Sequence, residues 1–321
     1  MKKLLISLTA LLLLVGCSNN NETLETEQPT EEQIEAEHIE DITPRGLKII
    51  APQGAPALTL LPIVTKGDND VTTVEGADAI TAELSKTNPE YDVIIAPTNL
   101  GVKLAATGNS DYKLLAVVDW GNLYIVGDDE NALDEGHEVA AFGENAVPGL
   151  VFKKAYEGIG ANVTFYNDVS DAREMLLAGN ANAALLAEPA ATATIAAAKE
   201  KDMNLSIISN VQEAWGTEGF PMASMFVLED AYEENREMYD ELLRMMQTYA
   251  DVFDANDPSS LINDINERGP EFYGVPKAEI VGACYKRMNI AITRVADCKD
   301  EIARFLEMFD VTDIDDALIM D

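Results

Sequence analysis

Five short turns, each just behind an apolar run, hold the groups with most to offer a small molecule. They are Gln53-Gly54-Ala55-Pro56, Thr98-Asn99, Trp120-Gly121-Asn122, Gly143-Glu144-Asn145 and Glu188-Pro189. Their chemistry is that of recognition. Gln53, Asn99 and Asn122 carry amides that both donate and accept, the Gly54 and Ala55 N–H groups donate, and Glu188 accepts from an amine, amidine or aminopyrimidine. Trp120 and Trp215, the only tryptophans, offer flat faces for a planar solute, with Tyr273 as a third ring. Each position also has an ordinary reading. Thr98 is then a helix cap, Gly143 a turn glycine, Pro189 a helix start, and Trp120 and Tyr273 core packing. Glu188 is then an early-turn acid favoured by the helix dipole. Several such turns in one chain argue for a shared cleft, because open α/β sheets bind ligands beyond the carboxyl ends of their strands. The turns hold no Lys or Arg, so a bare phosphate or sulfonate would rest on helix N-terminal N–H groups and amides.

Residues for reaction chemistry are sparse. There is no G-x-S-x-G elbow, H-E-x-x-H pair, Walker-type loop or G-x-G-x-x-G turn. Of the two histidines, His38 falls in an acidic N-terminal stretch and His137 among Asp134, Glu135 and Glu138 in a polar loop. Acids are too abundant for a catalytic carboxylate pair to be singled out. Cys284 and Cys298 either bridge or sit as separate buried thiols, and two thiols alone make an incomplete metal site. The expectation is a binding protein with no catalytic residue, no metal and no cofactor.

The elements that must position these turns read as strands alternating with helices. Short apolar runs predict strands over 47–51, 71–74, 92–96, 113–118, 123–126, 138–142, 163–166, 183–187, 205–208 and 224–228. Helical patterns fall between many of them, and beyond 228 the chain reads as almost wholly helical. This alternation predicts an α/β fold of two lobes, each a mostly parallel sheet flanked by helices. Pro52-Gln53-Gly54 breaks the first strand, and Pro56 suits the first turn of the helix that follows. Polar stretches at 127–136 and 215–221 place the lobe changes. They assign 46–138 and 212–321 to the first lobe and 139–211 to the second.

The amino terminus is of another kind. Met1-Lys2-Lys3 and the apolar run Leu4 to Val15 form the basic and hydrophobic regions of a secretory signal over 1–16, too short for a comfortable membrane span. The stretch 17–45 is acidic and poor in large apolar residues, as an extended tether would be. The chain has 321 residues, a formal net charge of −35 and an apolar fraction of 47%, enough for a real core. That charge argues against nucleic acid and against electrostatic docking on anionic lipid.

Leu14-Val15-Gly16-Cys17 resembles the lipobox of bacterial lipoproteins. Together with "APQGAPALTLL", "YDVIIAPTNLGVKL", "WGNLYIVG", "FGENAVPGLVFKKAYE", "ALLAEPAATATIAA" and "RMNI", the chain resembles an extracytoplasmic solute-binding protein of an ABC importer. The subgroup is the type II periplasmic-binding-protein fold that includes thiamine-pyrimidine, aliphatic sulfonate and nitrate binders. The resemblance implies lipidation of Cys17, anchorage at the outer face of the cytoplasmic membrane, two lobes closing on a small-molecule ligand, and docking onto a permease. A monomer is expected. By the resemblance the first three turns belong to the first lobe and the last two to the second; with Trp215 and Tyr273 they are the site candidates, and the flat ring of Trp120 or Trp215, the Glu188 acceptor and the Gly54 and Ala55 donors together suit a compact, planar, nitrogen-bearing solute such as a thiamine precursor. A sulfonate or other small anion, and a surface lipoprotein without transport, are the alternatives. The tail, Phe309–Asp321, departs from the ending of close relatives.

Overall fold

The computed structural model describes residues 43–66, 68–216 and 219–320. The signal segment, Cys17, His38 and nearly all of the acidic stretch lie outside the described residues. Eleven strands follow one another as β1 (Lys48–Pro52), β2 (Asp70–Val74), β3 (Val93–Pro97), β4 (Tyr112–Asp119), β5 (Leu123–Gly127), β6 (Glu138–Phe142), β7 (Asn162–Tyr166), β8 (Ala183–Ala187), β9 (Ser206–Asn210), β10 (Ala223–Leu228) and β11 (Ile290–Arg294). They make two sheets, ordered β11-β4-β10-β3-β1-β2 and β7-β6-β8-β5-β9, flanked by helices. The α/β class with two helix-flanked sheets is as read from the sequence.

Three details correct that reading. The sheets are mixed rather than mostly parallel. Pairings β1–β2, β1–β3, β6–β7 and β6–β8 are parallel, whereas β10 runs antiparallel to β3 and β4, β11 to β4, and β5 to β8 and β9. A continuous apolar run marks a strand covered on both faces but carries no sign of its direction. Strand β5, assigned above to the first lobe, is hydrogen-bonded inside the second sheet. The chain therefore crosses between sheets at Trp120-Gly121-Asn122, ahead of the polar stretch at 127–136. Strand β11 was read as helix. It is a five-residue, half-buried edge strand between helical segments, and it owes its conformation to β4 rather than to its own pattern.

Residues Ile42–Asp321 form one compact unit. Its largest core cluster runs from Ile94, Leu114 and Phe226 of the first sheet to Ile125, Val139 and Leu185 of the second. The crossover is pinned by Gly121, whose φ of +94° is a glycine conformation and whose missing Cβ would stand 2.8 Å from the Phe220 ring. The Asp119 carboxylate accepts the Gly121 N–H at 2.8 Å, Asn289 O accepts the Trp120 N–H at 3.0 Å, and Trp120 O accepts the Phe220 N–H at 3.0 Å. The divergent tail packs back on the first sheet, where Ile319 N donates to Leu114 O and Ala317 and Leu318 are buried. No described helix is long and apolar enough to cross a membrane.

Candidate functional site

Between the carboxyl ends of the parallel strands of both sheets lies a cleft of about 760 Å³. On the first-sheet side, β1 ends at Pro52 and the chain turns through Gln53 and Gly54. The turn requires φ = +95° at Gly54, which only glycine adopts without strain. The Gly54 N–H is already used, donating to Tyr273 O at 2.8 Å, and Gln53 Nε2 reaches Glu271 O at 3.4 Å. Both N–H groups counted above as ligand donors are therefore not equal: that of Gly54 holds the neighbouring turn instead.

Behind β3, the helix Thr98–Ala106 begins. The buried Thr98 hydroxyl pairs with Ser224 Oγ at 2.7 Å, tying the helix start to β10. Asn99, next along, lines the cleft, and its Oδ1 is buried without a hydrogen-bond partner. At the end of β4 Asp119 lies wholly buried in the cleft wall, and burial pushes its carboxyl up to about 7 against the opposing pull of the Gly121 N–H. Asn122 Nδ2 reaches the other Asp119 oxygen at 3.4 Å, while Asn122 Oδ1 is buried and unpartnered. Two unpartnered amide oxygens and one buried carboxyl thus line the cleft at strand ends of one sheet.

On the second-sheet side, Gly143 makes the turn, its O accepting from Ala146 N at 2.9 Å and Gly149 N at 3.1 Å, and Asn145 to Pro148 face the cleft. Glu188 follows β8. Its side chain is fully buried and accepts from Thr192 N (3.0 Å), Thr192 Oγ1 (2.8 Å) and Arg287 Nε (2.8 Å). Both readings of Glu188 left open by the sequence meet here: it lines the cleft, yet its carboxylate takes the Thr192 N–H in the first turn of the helix Ala190–Lys199 and pairs with Arg287, which comes from the segment ahead of β11. Beyond β7, the helix Val169–Leu177 presents Val169 and Arg173 to the cleft.

Seven of the twelve sequence candidates line this one cleft: Gln53, Gly54, Ala55, Pro56, Asn99, Asn122 and Glu188. Thr98, Gly143 and Tyr273 stand behind it as turn and core residues; Tyr273 is fully buried, its hydroxyl unpartnered. The two tryptophans lie elsewhere. Trp120 lines a second cavity of about 600 Å³ that shares no lining residue with the cleft, and Trp215 packs edge-on against Phe220 with ring centres 5.9 Å apart. Among the described residues no aromatic ring lines the cleft, whose walls are largely proline, alanine and valine. Sequence reasoning missed Asp119 and Arg173. An acid closing the run Leu114-Leu115-Ala116-Val117-Val118 was a visible signal for Asp119. Arg173 had none, since only the packing of its helix decides what it faces.

Cys284 and Cys298 are separate buried thiols. Burial pushes Cys298 up to about 12 and raises Cys284 further. Among the described residues, no group of three or more His, Cys, Asp or Glu side chains is placed to hold a metal ion.

No family model matches the chain, and no curated protein matches it. Solved structures do share its fold. An ABC transporter structure from Parabacteroides distasonis superposes with a TM-score of 0.67 at 19% identity, covering 85% of this chain and 95% of that one. The periplasmic aliphatic sulphonate binding protein SsuA from Escherichia coli gives 0.63 at 15% identity, covering 86% and 92%. The ligand binding component of an ABC-type import system from Staphylococcus aureus, with zinc bound, gives 0.62 at 10% identity, covering 85% and 96%. At these identities the likeness is one of fold: two helix-flanked sheets with a cleft at their strand ends.

Proposed function

We propose that this chain is the extracytoplasmic solute-binding subunit of an ABC importer. It captures a small nitrogen-bearing organic solute between two lobes and passes it to a permease, without chemistry of its own. The observation that carries the reading is the cleft itself. Asn99 Oδ1 and Asn122 Oδ1 are buried in its wall without partners, and the buried Asp119 carboxyl lines the same cleft. Buried acceptors are costly when unmet, and a bound amine, amidine or amide edge meets them. Among the described lining residues Thr81 is the one hydroxyl, already donating to Ala77 O at 2.7 Å, and Ser, Cys, His, Lys and Tyr are absent, so no base is placed to activate it as a nucleophile except Asp119. Proline and alanine walls accept flat and aliphatic solutes alike, so planarity forms no part of the proposal.

The lobes of this reading are residues 43–122 with 219–320, and residues 123–216, since the helix Val211–Trp215 packs on the second sheet and its Gln212 amide bonds Leu123; they join at the crossovers Trp120–Asn122 and Gly219–Met222. Lipidation at Cys17 would hold the receptor at the outer face of the cytoplasmic membrane as a monomer, since two acyl chains on one residue anchor stably without a spanning helix. Native intact-mass measurement of the full chain should detect a single co-purified small molecule, displaced on Asn122→Leu. Solution scattering should show a smaller radius of gyration with that molecule bound than after its removal. Absence of any stoichiometric small molecule, with one scattering profile under all conditions, would exclude the receptor.

A further inference from the structure

Charge in the cleft is distributed in a way that the acceptors alone do not use. Three ionisable side chains line it: Asp119, Glu188 and Arg173. Glu188 is spoken for by Arg287 and Thr192, as described above. Arg173 is different. Its helix neighbours at the positions that share a face are Val169, Ser170, Leu176 and Leu177, so no carboxylate is spaced to neutralise it. Asp168, the nearest acid before the helix, spends an oxygen on the Ser170 and Asp171 N–H groups as the helix cap. Among the described residues the guanidinium has no hydrogen-bond or ion-pair partner, and Arg173 is half-buried at the cleft. The first sheet contributes to the same cleft the buried Asp119 carboxyl and the unpartnered Asn99 and Asn122 oxygens.

We propose that the solute carries two charged or strongly polar ends: a donor-rich amine or amidine received by Asp119, Asn99 and Asn122, and an anionic carboxylate or sulfonate received by Arg173. This deepens the proposed function and rests on it. A solute with only the amine end would leave Arg173 without a counter-charge as the apolar walls close, at the desolvation cost of an unpaired ion. A solute with only the anionic end would leave the first-sheet acceptors without donors. A molecule bearing both ends satisfies each set, and a guanidinium matches the two oxygens of a carboxylate or sulfonate through its paired N–H groups.

The test is calorimetric titration of the full-length protein with two matched sets of probes. One set is 3-(aminomethyl)benzoate, benzoate and benzylamine; the other is 2-aminoethanesulfonate, ethanesulfonate and ethylamine. In at least one set the doubly functional probe should bind ten-fold or more tighter than either half. Arg173→Gln should abolish that margin over the amine-only probe, Arg173→Lys should restore part of it, and the ligand-free melting temperature should be unchanged in both. Asp119→Asn should instead reduce the margin over the anion-only probe. The inference is overturned if neither doubly functional probe binds, if a half-probe binds as tightly as its parent, or if Arg173→Gln weakens amine-only and doubly functional probes equally. Amine-only binding that Asn122→Leu removes and Arg173→Gln spares would overturn the two-ended solute while leaving the receptor reading intact. No binding by any probe, with no co-purified molecule, would remove both.

Discussion

Replacing Asp119 by Asn should make the ligand-free protein less sensitive to pH, in a direction the structure dictates. The carboxyl is wholly buried, and burial raises it from its ordinary 3.8 to about 7. Between those values the folded protein holds a proton that the unfolded chain has lost. Stability contributed at this position is therefore fully present below pH ~4 and falls as pH rises toward 7, because unfolding releases the cost of ionising a buried acid. The difference of about 3 pKa units corresponds to at most ~4 kcal/mol above pH 7. Asparagine keeps the acceptor for the Gly121 N–H, and turning the Asn122 amide over replaces the 3.4 Å contact from Asn122 Nδ2 by one in which the new amide donates to Asn122 Oδ1. Urea unfolding of both proteins at pH 4.5 and pH 8 is the assay. Stability of Asp119→Asn relative to the parent should increase by roughly 2–4 kcal/mol between the two pH values. A difference that stays constant with pH, or that moves the other way, would refute the assignment of a buried, proton-retaining carboxyl.

Four further outcomes can be checked on single residues. Arg287→Ala strands the buried Glu188 carboxylate and should cost about 2 kcal/mol by urea unfolding, below the range for fully buried pairs because the Arg287 side chain is 39% exposed; adding Glu188→Gln should recover most of it. Glu188→Gln alone should leave solute affinity within about two-fold, its oxygens being held by Thr192 and Arg287, and a large affinity loss would return Glu188 to the ligand. Cys284 and Cys298 should react with a thiol reagent only after unfolding, as burial opposes thiolate formation at both; a disulfide found by mass spectrometry would contradict this. Cys17→Ser should release soluble or unprocessed protein where the parent partitions with membranes, and equal release from both would remove the anchor.

Local pattern carried much of this molecule. Apolar runs such as Val93–Ala96 and Ala183–Ala187 make strands wherever they fall, because burying Val, Ile and Leu on both faces of a sheet is favourable in either strand direction. Gly54 and Gly121 announce turns that need positive φ, and the residues behind them, Gln53 to Pro56 and Asn122, reach the cleft since strand ends of an α/β sheet point there. What the pattern does not hold is direction and facing. Nothing in β5 or β10 says that it runs antiparallel to its neighbours, and nothing in Ile290–Arg294 marks an edge strand until β4 is beside it. Facing also decided the chemistry. Trp120 and Trp215 lie close in sequence to cleft turns yet pack away from the cleft, while Arg173, in mid-helix, lines it. Glu188 lost its free charge to Arg287, 99 residues away. Propensity and turn chemistry act over a few residues, so a sequence can state them; ion pairs, burial and the side of a helix that meets a cavity depend on residues brought together only when the sheets assemble.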